Sequence, residues 1–437
     1  MTDRNKDQQS ILDKLGIQEL NQMQQDAHKA IRSHSEIVLL SPTGTGKTLA
    51  FLLPIIAELD PDCKEVQVLI LVPSRELAIQ IEQVTREMGS GFKTNAVYGG
   101  RIGTKDKIEL AHPPAILIGT PGRIADHMRR QTVSTKKIKT LVLDEFDKSL
   151  EVGFEKEMME IVEALPAIEK KILTSATQNI EIPEFVGIKN AERLDYLHEA
   201  PNLLKIKTIV SPSKDKLNTL VKLLAYVGDA SGIIFCNFKD TIQYVSDFLT
   251  ENHIPHACFY GGLEQIDRER ALIKFRNGTH RLLVATDLAA RGIDVPEMDF
   301  IIHYQLPPKE REFIHRNGRT ARMHSNGTAY VLKWENENLP DFIKGSEEQD
   351  IKAIYAPGKS KWATLFVSGG KRDKISKGDI AGLFFKLGNL DKDELGAIEL
   401  KQDCAFVAVP ATKSVELIKQ LNNSKLKKKK VRVSLLE

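Results

Sequence analysis

The chain has 437 residues, 41% hydrophobic and 28% charged, the balance of a soluble globular protein of two or three domains. Its polar start and its longest apolar run, residues 49–57, are those of neither a secreted nor a membrane-inserted protein, so no membrane partner and a cytoplasmic location are expected. The net charge of +3 hides an asymmetry: residues 361–437 carry 16 Lys/Arg against 9 Asp/Glu, a net +7, which leaves −4 for residues 1–360.

Residues 1–35 read as helical and amphipathic, and the apolar run 37–40 then reads as a strand. It leads into Ser41, Pro42, Thr43, Gly44, Thr45, Gly46, Lys47 and Thr48, followed by a helical stretch over 49–58. Glycines at this spacing let successive backbone N–H groups face one anion, and the helix start adds partial positive charge. Lys47 can then reach the β- and γ-phosphates of a nucleotide, and Thr48 offers a hydroxyl to its magnesium ion. Further strands are expected at 66–72, 115–119, 141–143 and 171–174, with helices at 75–88 and 122–130 between them. Such alternation predicts a parallel sheet covered on both faces, with ligands at the carboxyl ends of its strands.

Asp144-Glu145-Phe146-Asp147 follows the strand at 141–143, so its carboxylates are expected at the same sheet edge as the phosphate loop. Asp144 is positioned to hold magnesium and Glu145 to orient and deprotonate the attacking water. Ser175-Ala176-Thr177 also follows a strand. After Pro201 the pattern restarts, with strands expected at 206–210, 232–236, 256–259, 282–285 and 300–303 and helices at 214–226, 238–252 and 263–276, a second α/β unit. Thr286 to Asp294 follows one of these strands, and Arg316, Arg319 and Arg322 come next. Arg319 and Arg322, at i, i+3 spacing, are expected on one side of a helix, suited to stabilising transition-state charge on a nucleotide held by the other lobe. The four cysteines, Cys63, Cys236, Cys258 and Cys404, are far apart and lack metal-ligand spacing.

Residues 335–360 have little periodicity and read as a linker. The last segment follows a different order: strand 363–367, helix 377–387, strands 398–400 and 405–409, helix 412–421, strand 429–435. This βαββαβ order is the split arrangement of RNA-recognition modules.

Together these residues resemble the DEAD-box RNA helicases of superfamily 2. The phosphate loop, residues 73–78 (Pro-Ser-Arg-Glu-Leu-Ala), Gly99-Gly100, residues 120–123 (Thr-Pro-Gly-Arg), the acidic tetrapeptide, Ser-Ala-Thr, the 286–294 run and the arginine cluster stand in that family's order over residues 15–330. The resemblance implies two RecA-like lobes, residues 1–200 and 201–340, a linker at 341–360, and a monomer that uses ATP and Mg to separate RNA strands locally. By the same resemblance Gln24 reads adenine, Asp294 contacts the nucleotide, and magnesium is held by Thr48 and, through water, by Asp144. Asp147, Ser175 and Thr177 couple the lobes. Pro73, Arg75, Gly100, Thr120 and Arg123, with Arg268, Thr286 and Asp287 of the second lobe, hold a single RNA strand by its backbone. Phe146 stands where the family has Ala, and no aromatic precedes Phe51, so the ring that ordinarily stacks on adenine ahead of Gln24 is missing.

Residues 361–437 resemble the RNA-binding domain of the DbpA type, through residues 363–366, Gly369-Gly370-Lys371, residues 377–380, 406–409 and 431–436. That resemblance implies an RRM-like α+β domain that docks on structured RNA, a hairpin of large-subunit ribosomal RNA, during ribosome assembly. Phe366 and Phe406 are expected to expose their rings for base stacking, with Cys404 where a third ring would stand; as core residues they would be covered instead. Two other readings stay open: an RNA clamp or remodeller that hydrolyses ATP without productive unwinding, and a non-enzymatic assembly factor.

Overall fold

Short, continuous apolar runs become the interior strands of two parallel sheets, because helices cover both faces of each sheet and leave no side for polar residues. The computed structural model describes residues 8–100, 103–151, 153–177, 181–197, 204–287, 298–321, 326–343, 346–351 and 360–436. Asp294 and Arg322 lie outside the described residues, as does the expected boundary between residues 200 and 201.

The first lobe contains β1 (Glu36–Leu40), β2 (Val68–Leu71), β3 (Thr94–Val97), β4 (Ile116–Gly119), β5 (Thr140–Leu143), β6 (Lys170–Ser175) and β7 (Glu192–Asp195), in the order β3-β4-β2-β5-β6-β1-β7. All its pairings are parallel. Its helices are α1 (Gln8–Leu15), α2 (Gln22–Ser33), α3 (Lys47–Glu58), α4 (Arg75–Met88), α5 (Gly103–Leu110), α6 (Pro121–Arg129), α7 (Phe146–Glu151) and α8 (Glu155–Glu163). Two cores lie on opposite faces of the sheet. Ile37, Ile70 and Ile118 point into one, and Val38, Leu69 and Leu117 into the other, as period-2 alternation requires. The helical stretch expected over 1–35 is two helices, broken by Gly16 at φ +69° and restarted by a capping box in which Asn21 and Gln24 exchange hydrogen bonds.

The second lobe repeats the plan with β8 (Leu204–Ser211), β9 (Gly232–Phe235), β10 (His256–Phe259), β11 (Leu282–Ala285), β12 (Phe300–His303), β13 (Gly327–Trp334) and β14 (Glu347–Glu348), ordered β10-β11-β9-β12-β13-β8-β14 and again parallel. Its helices are α9 (Leu217–Val227), α10 (Lys239–Glu251), α11 (Gln265–Arg276) and α12 (Glu310–Asn317). The strands β3, β7, β13 and β14 lie outside the runs read as strands. Two of them, β7 and β14, are short edge strands rich in charge, and in β3 Thr94 and Asn95 are buried although polar. Residues 341–343 and 346–348, expected within the linker, belong to this lobe: Ile343 packs with Phe313 and Val331, and β14 pairs with β8.

The tail is a four-stranded antiparallel sheet of β15 (Trp362–Val367), β16 (Ile398–Leu400), β17 (Ala405–Pro410) and β20 (Val433–Leu435), in the order β16-β17-β15-β20. Helices α13 (Lys377–Lys386) and α14 (Ser414–Leu421) cover one face. The single strand expected at 429–435 is divided. Lys425–Leu426 (β18) and Lys429–Lys430 (β19) form a separate hairpin, and the sheet strand begins only at Val433. Lys427 turns the hairpin at φ +53°, and buried Leu426 anchors it in the core.

Candidate nucleotide and RNA sites

At the carboxyl end of β1 the loop 41–46 turns on two glycines in the left-handed region, Gly44 at φ +84° and Gly46 at φ +87°, and delivers the chain into α3 at Lys47. Side chains pin the loop from within: the Ser41 and Thr45 hydroxyls lie 2.7 Å apart, and Thr45 Oγ1 donates to Pro42 O. From α2, Asn21 Nδ2 donates to Thr45 O and Gln24 Nε2 to Gly46 O. A Cβ on Gly46 would meet only the movable Gln24 Nε2, at 2.4 Å, so it is the left-handed backbone that calls for glycine here. Lys47 is buried, and its Nζ donates to Ser41 O and Pro42 O, each at 2.7 Å. Burial lowers its pKa to about 8, against the opposing attraction of Asp144 and Glu145. Thr48 occupies the first turn of α3.

The acidic segment leaves β5 at the same edge of the sheet. Asp144 is buried, accepts a short hydrogen bond from the Thr174 hydroxyl, and caps the Glu145 N–H at 3.1 Å. Burial first, and then the neighbouring Glu145, raises its carboxyl to about 6. Glu145 adopts φ +49°, and the fully buried Lys148 places its Nζ 2.7 Å from Glu145 Oε2. Asp147 is fully buried and accepts from Thr177 Oγ1 at 3.1 Å, while Ser175 Oγ accepts the Thr177 N–H. The Ser-Ala-Thr turn is thereby tied to the acidic tetrapeptide. Phe146, which replaces the family's Ala, points away from these groups into the core with Leu143, Met158 and Leu173.

On the same lobe Arg75 begins α4 just after the buried Pro73. Its guanidinium fills the turn at Gly100, where a Cβ would meet Nη1 at 2.5 Å and φ is +80°. Thr120 is the N-cap of α6. Arg123 on that helix is held by Asp106 of α5, at 2.9 Å from Nε and 2.7 Å from Nη2, and by Asp126 at 3.1 Å. His127 Nε2 lies 3.2 Å from the same Asp106 oxygen.

In the second lobe Arg319 lies outside the helix expected to carry it, and Arg322 lies outside the described residues. Helix α12 stops at Asn317, with Gly318 as its cap, and Arg319 lies beyond it in a turn held by the bridge of Thr320 to Met298. Arg319 is buried. Arg316, within the helix, is the largest fully buried side chain among the described residues. Its guanidinium meets Asp287 at 2.6 and 2.5 Å, Gln305 O and Asn237 Oδ1 at 2.7 Å, and the Phe235 ring at 5.1 Å from the centroid. Asp287 is therefore paired within the lobe, one residue after half-buried Thr286. Arg268 on α11 lies over the Phe259 ring at 5.0 Å.

Phe366 and Phe406 do sit opposite each other on β15 and β17, with ring centroids 5.8 Å apart. The open sheet face expected for them is corrected by the fold. Phe406 is buried in a cluster with Ile273 of α11, 1% exposed, and Leu436, whereas Phe366 and Cys404 pack against that cluster and stay half-buried. Arg276 pairs with Glu399 at 2.8 and 2.9 Å, and the Thr364 hydroxyl meets Asn277 at 3.2 Å and Thr279 at 2.7 Å. This packing leaves no trace in the sequence, because nothing local in α11 marks Ile273 as meeting a sheet so far along the chain. Thr174, Lys148 and Asp106 are three further site residues that the motifs do not pick out. Of these, only Lys148 carries a signal, as a cation one helical turn after Glu145.

A phosphate loop and an acidic turn at one edge of a parallel sheet, a second lobe of the same plan and an appended RRM-like domain define a two-lobed nucleotide-driven machine with an RNA-binding module. Residues 21–185 match the DEAD/DEAH box helicase family, 215–324 the helicase conserved C-terminal domain, and 364–435 the DbpA RNA binding domain. The chain is 31% identical to the ATP-dependent RNA helicase DbpA of Escherichia coli (strain K12), over 98% of this chain and 96% of that protein. It is 30% identical to the DbpA of Bacillus subtilis (strain 168), over 97% and 96%. A solved structure of S. cerevisiae Dbp5 bound to RNA and ADP BeF3 superposes with a TM-score of 0.67 at 27% identity, covering 75% of this chain and 88% of that one. The chain belongs to the DEAD-box family of ATP-dependent RNA helicases, in its DbpA type. Among the described residues no helix is long and apolar enough to cross a membrane, and no group of His, Cys, Asp and Glu forms a metal cluster.

Proposed function

We propose that the enzyme separates short RNA duplexes locally, brought by residues 361–437 to a structured element of large-subunit ribosomal RNA during ribosome assembly, as a cytoplasmic monomer. The observation that carries this reading is the near full-length match to two DbpA helicases, which spans both lobes and the tail. The ribosomal target rests on the resemblance of the tail alone.

In the proposed cycle Lys47 exchanges the carbonyls of Ser41 and Pro42 for the β- and γ-phosphates, which the N–H groups of residues 43–48 surround. The donor set suits magnesium: Thr48 offers a hydroxyl, and Asp144 a buried carboxylate whose raised proton affinity a divalent cation would relieve. When bound, the ion would neutralise phosphate charge. Gln24 contacts the base and Asp294 the nucleotide. Glu145 aligns the attacking water in line with the leaving phosphate and takes its proton, with Lys148 fixing its direction. Arg319 and Arg322 supply positive charge to the transition state when the lobes close on RNA. Asp147, Ser175 and Thr177 relay closure. Pro73, Arg75, Gly100, Thr120, Arg123, Arg268, Thr286 and Asp287 hold the strand by its backbone, which makes core binding independent of sequence.

RNA-stimulated ATPase and strand separation, measured on a short duplex beside a ribosomal hairpin, test the cycle. Lys47→Ala and Glu145→Gln should each abolish both. ATPase that survives both substitutions would refute the residue roles, and cross-linked RNA lacking ribosomal sequences would refute the target.

A further inference from the structure

Strand β6 stands between the two strands that carry the chemistry of the first lobe. It pairs with β5 in the register Leu143↔Leu173 and with β1 in the register Leu39↔Thr174 and Leu40↔Ser175. One residue past the Leu143 pair, Thr174 therefore lies beside Asp144, while Ser175 O accepts the Ser41 N–H at 3.0 Å where the phosphate loop leaves β1. Thr174 is wholly buried in a strand covered on both faces, a setting in which apolar residues are the rule. A hydroxyl in such a place needs a partner to offset its loss of water. This one has two, and both belong to the acidic turn: it donates to Asp144 Oδ1 and accepts the Glu145 N–H at 3.1 Å.

Both contacts bear on direction. Glu145 stands at φ +49°, a left-handed backbone that a residue with a side chain keeps only when its surroundings hold it. Its N–H is gripped from two sides, by Thr174 Oγ1 and by Asp144 Oδ1, each at 3.1 Å. Lys148 meets the far end of the side chain, at Oε2. The Glu145 carboxylate is thus aimed from its backbone as well as through its ion pair. On Asp144 the two bonds fall on Oδ1 and leave Oδ2 outside them, which fixes how the carboxyl group is turned.

We infer that Thr174 is a positioning residue for ATP hydrolysis: its hydroxyl sets the backbone from which Glu145 reaches the attacking water and turns Asp144 toward the magnesium side of the nucleotide. This rests on the reading of Glu145 as the base and of Asp144 as the cation-side carboxylate, and it adds a residue that acts through those two neighbours rather than on the substrate. A group that orients a base or a metal-side carboxylate governs rate nearly as strongly as they do, because misplacing reacting atoms by about 1 Å is worth up to about a hundredfold.

The test compares the full chain with Thr174→Val, which keeps the shape and removes the hydroxyl, and with Thr174→Ser, which keeps the hydroxyl, in RNA-stimulated ATPase. Thr174→Val should lower kcat about tenfold to a hundredfold with KM for ATP and RNA affinity within about threefold, and Thr174→Ser should stay within about threefold of the wild-type kcat. Thr174→Ala should fall as Thr174→Val does, and it decides the outcome if Thr174→Val does not fold; circular dichroism melts identify the folded variants. A second readout needs no turnover. A fluorescent non-hydrolysable ATP analogue should bind wild type and Thr174→Val within about threefold of each other in chelator, whereas the tightening brought by magnesium should shrink about tenfold in the variant. A wild-type kcat in Thr174→Val, a loss that Thr174→Ser shares, a loss spread equally over kcat and KM, or an unchanged effect of magnesium would overturn the inference. If Glu145→Gln keeps the wild-type rate, the reading of Glu145 as the base fails; if Glu145→Gln loses that rate and Thr174→Val does not, only the inference about Thr174 fails.

Discussion

Asp144→Asn should stabilise the magnesium-free protein while abolishing its ATPase. Lifting the carboxyl from 3.8 to about 6 corresponds to roughly 3 kcal/mol, at about 1.4 kcal/mol for each tenfold change in proton affinity. The asparagine oxygen can still accept from the Glu145 N–H and the Thr174 hydroxyl, so local geometry survives. Asp144 also attracts Lys47, and losing that attraction offsets part of the gain, leaving about 1–3 kcal/mol. The sign follows from linkage: the folded pKa lies above the unfolded one, so the wild-type contribution is complete below 3.8 and is lost as pH rises through about 6. Wild type and variant should therefore melt together near pH 4 and diverge to a plateau above about pH 6, the variant higher by about 2–12 °C in the first-lobe transition. Thermal melts in chelator across that range provide the measurement. A difference independent of pH, or a wild type more stable at pH 8, would refute the electrostatic account.

Nucleotide affinity should peak between about pH 6 and 8, because magnesium binding needs Asp144 ionised and phosphate binding needs Lys47 charged, and these groups titrate at about 6 and about 8. Titration with a fluorescent nucleotide should show affinity falling on both sides, and a profile flat from pH 5 to 9 would contradict it. Arg316→Met removes one partner of the buried pair with Asp287 and should cost about 3–5 kcal/mol, read as early unfolding of the second lobe in denaturant. Phe146→Ala restores the family's usual residue, yet it empties a filled core position and should lower first-lobe stability by about 3–5 kcal/mol in the same assay.

The parts of this protein that are legible in its sequence are the local ones. The phosphate loop is legible because glycine, lysine and threonine at that spacing act through the backbone of their own segment. Most interior strands of both lobes are legible because a strand buried on two faces must be apolar throughout, although the interior β13 lies outside the runs read as strands, and α4 is legible to its end residues. Illegible strands are those whose burial depends on neighbours, such as β3 with its Thr94 and Asn95, or whose pairing is at an edge, such as β14.

What the sequence determined by itself was chemistry: which segment can cradle phosphate, which carboxylates follow a strand, and where basic charge accumulates. Only the tertiary structure decided which of those groups are engaged by others. Arg123 is held by Asp106, Asp287 by Arg316, and Glu145 by Lys148. The same alternation that puts Phe366 and Phe406 on one face of the tail is silent about whether water, RNA or Ile273 lies across from them. Periodicity specifies the face a side chain shares with its neighbours, whereas its partner is set by long-range packing that carries no local signature.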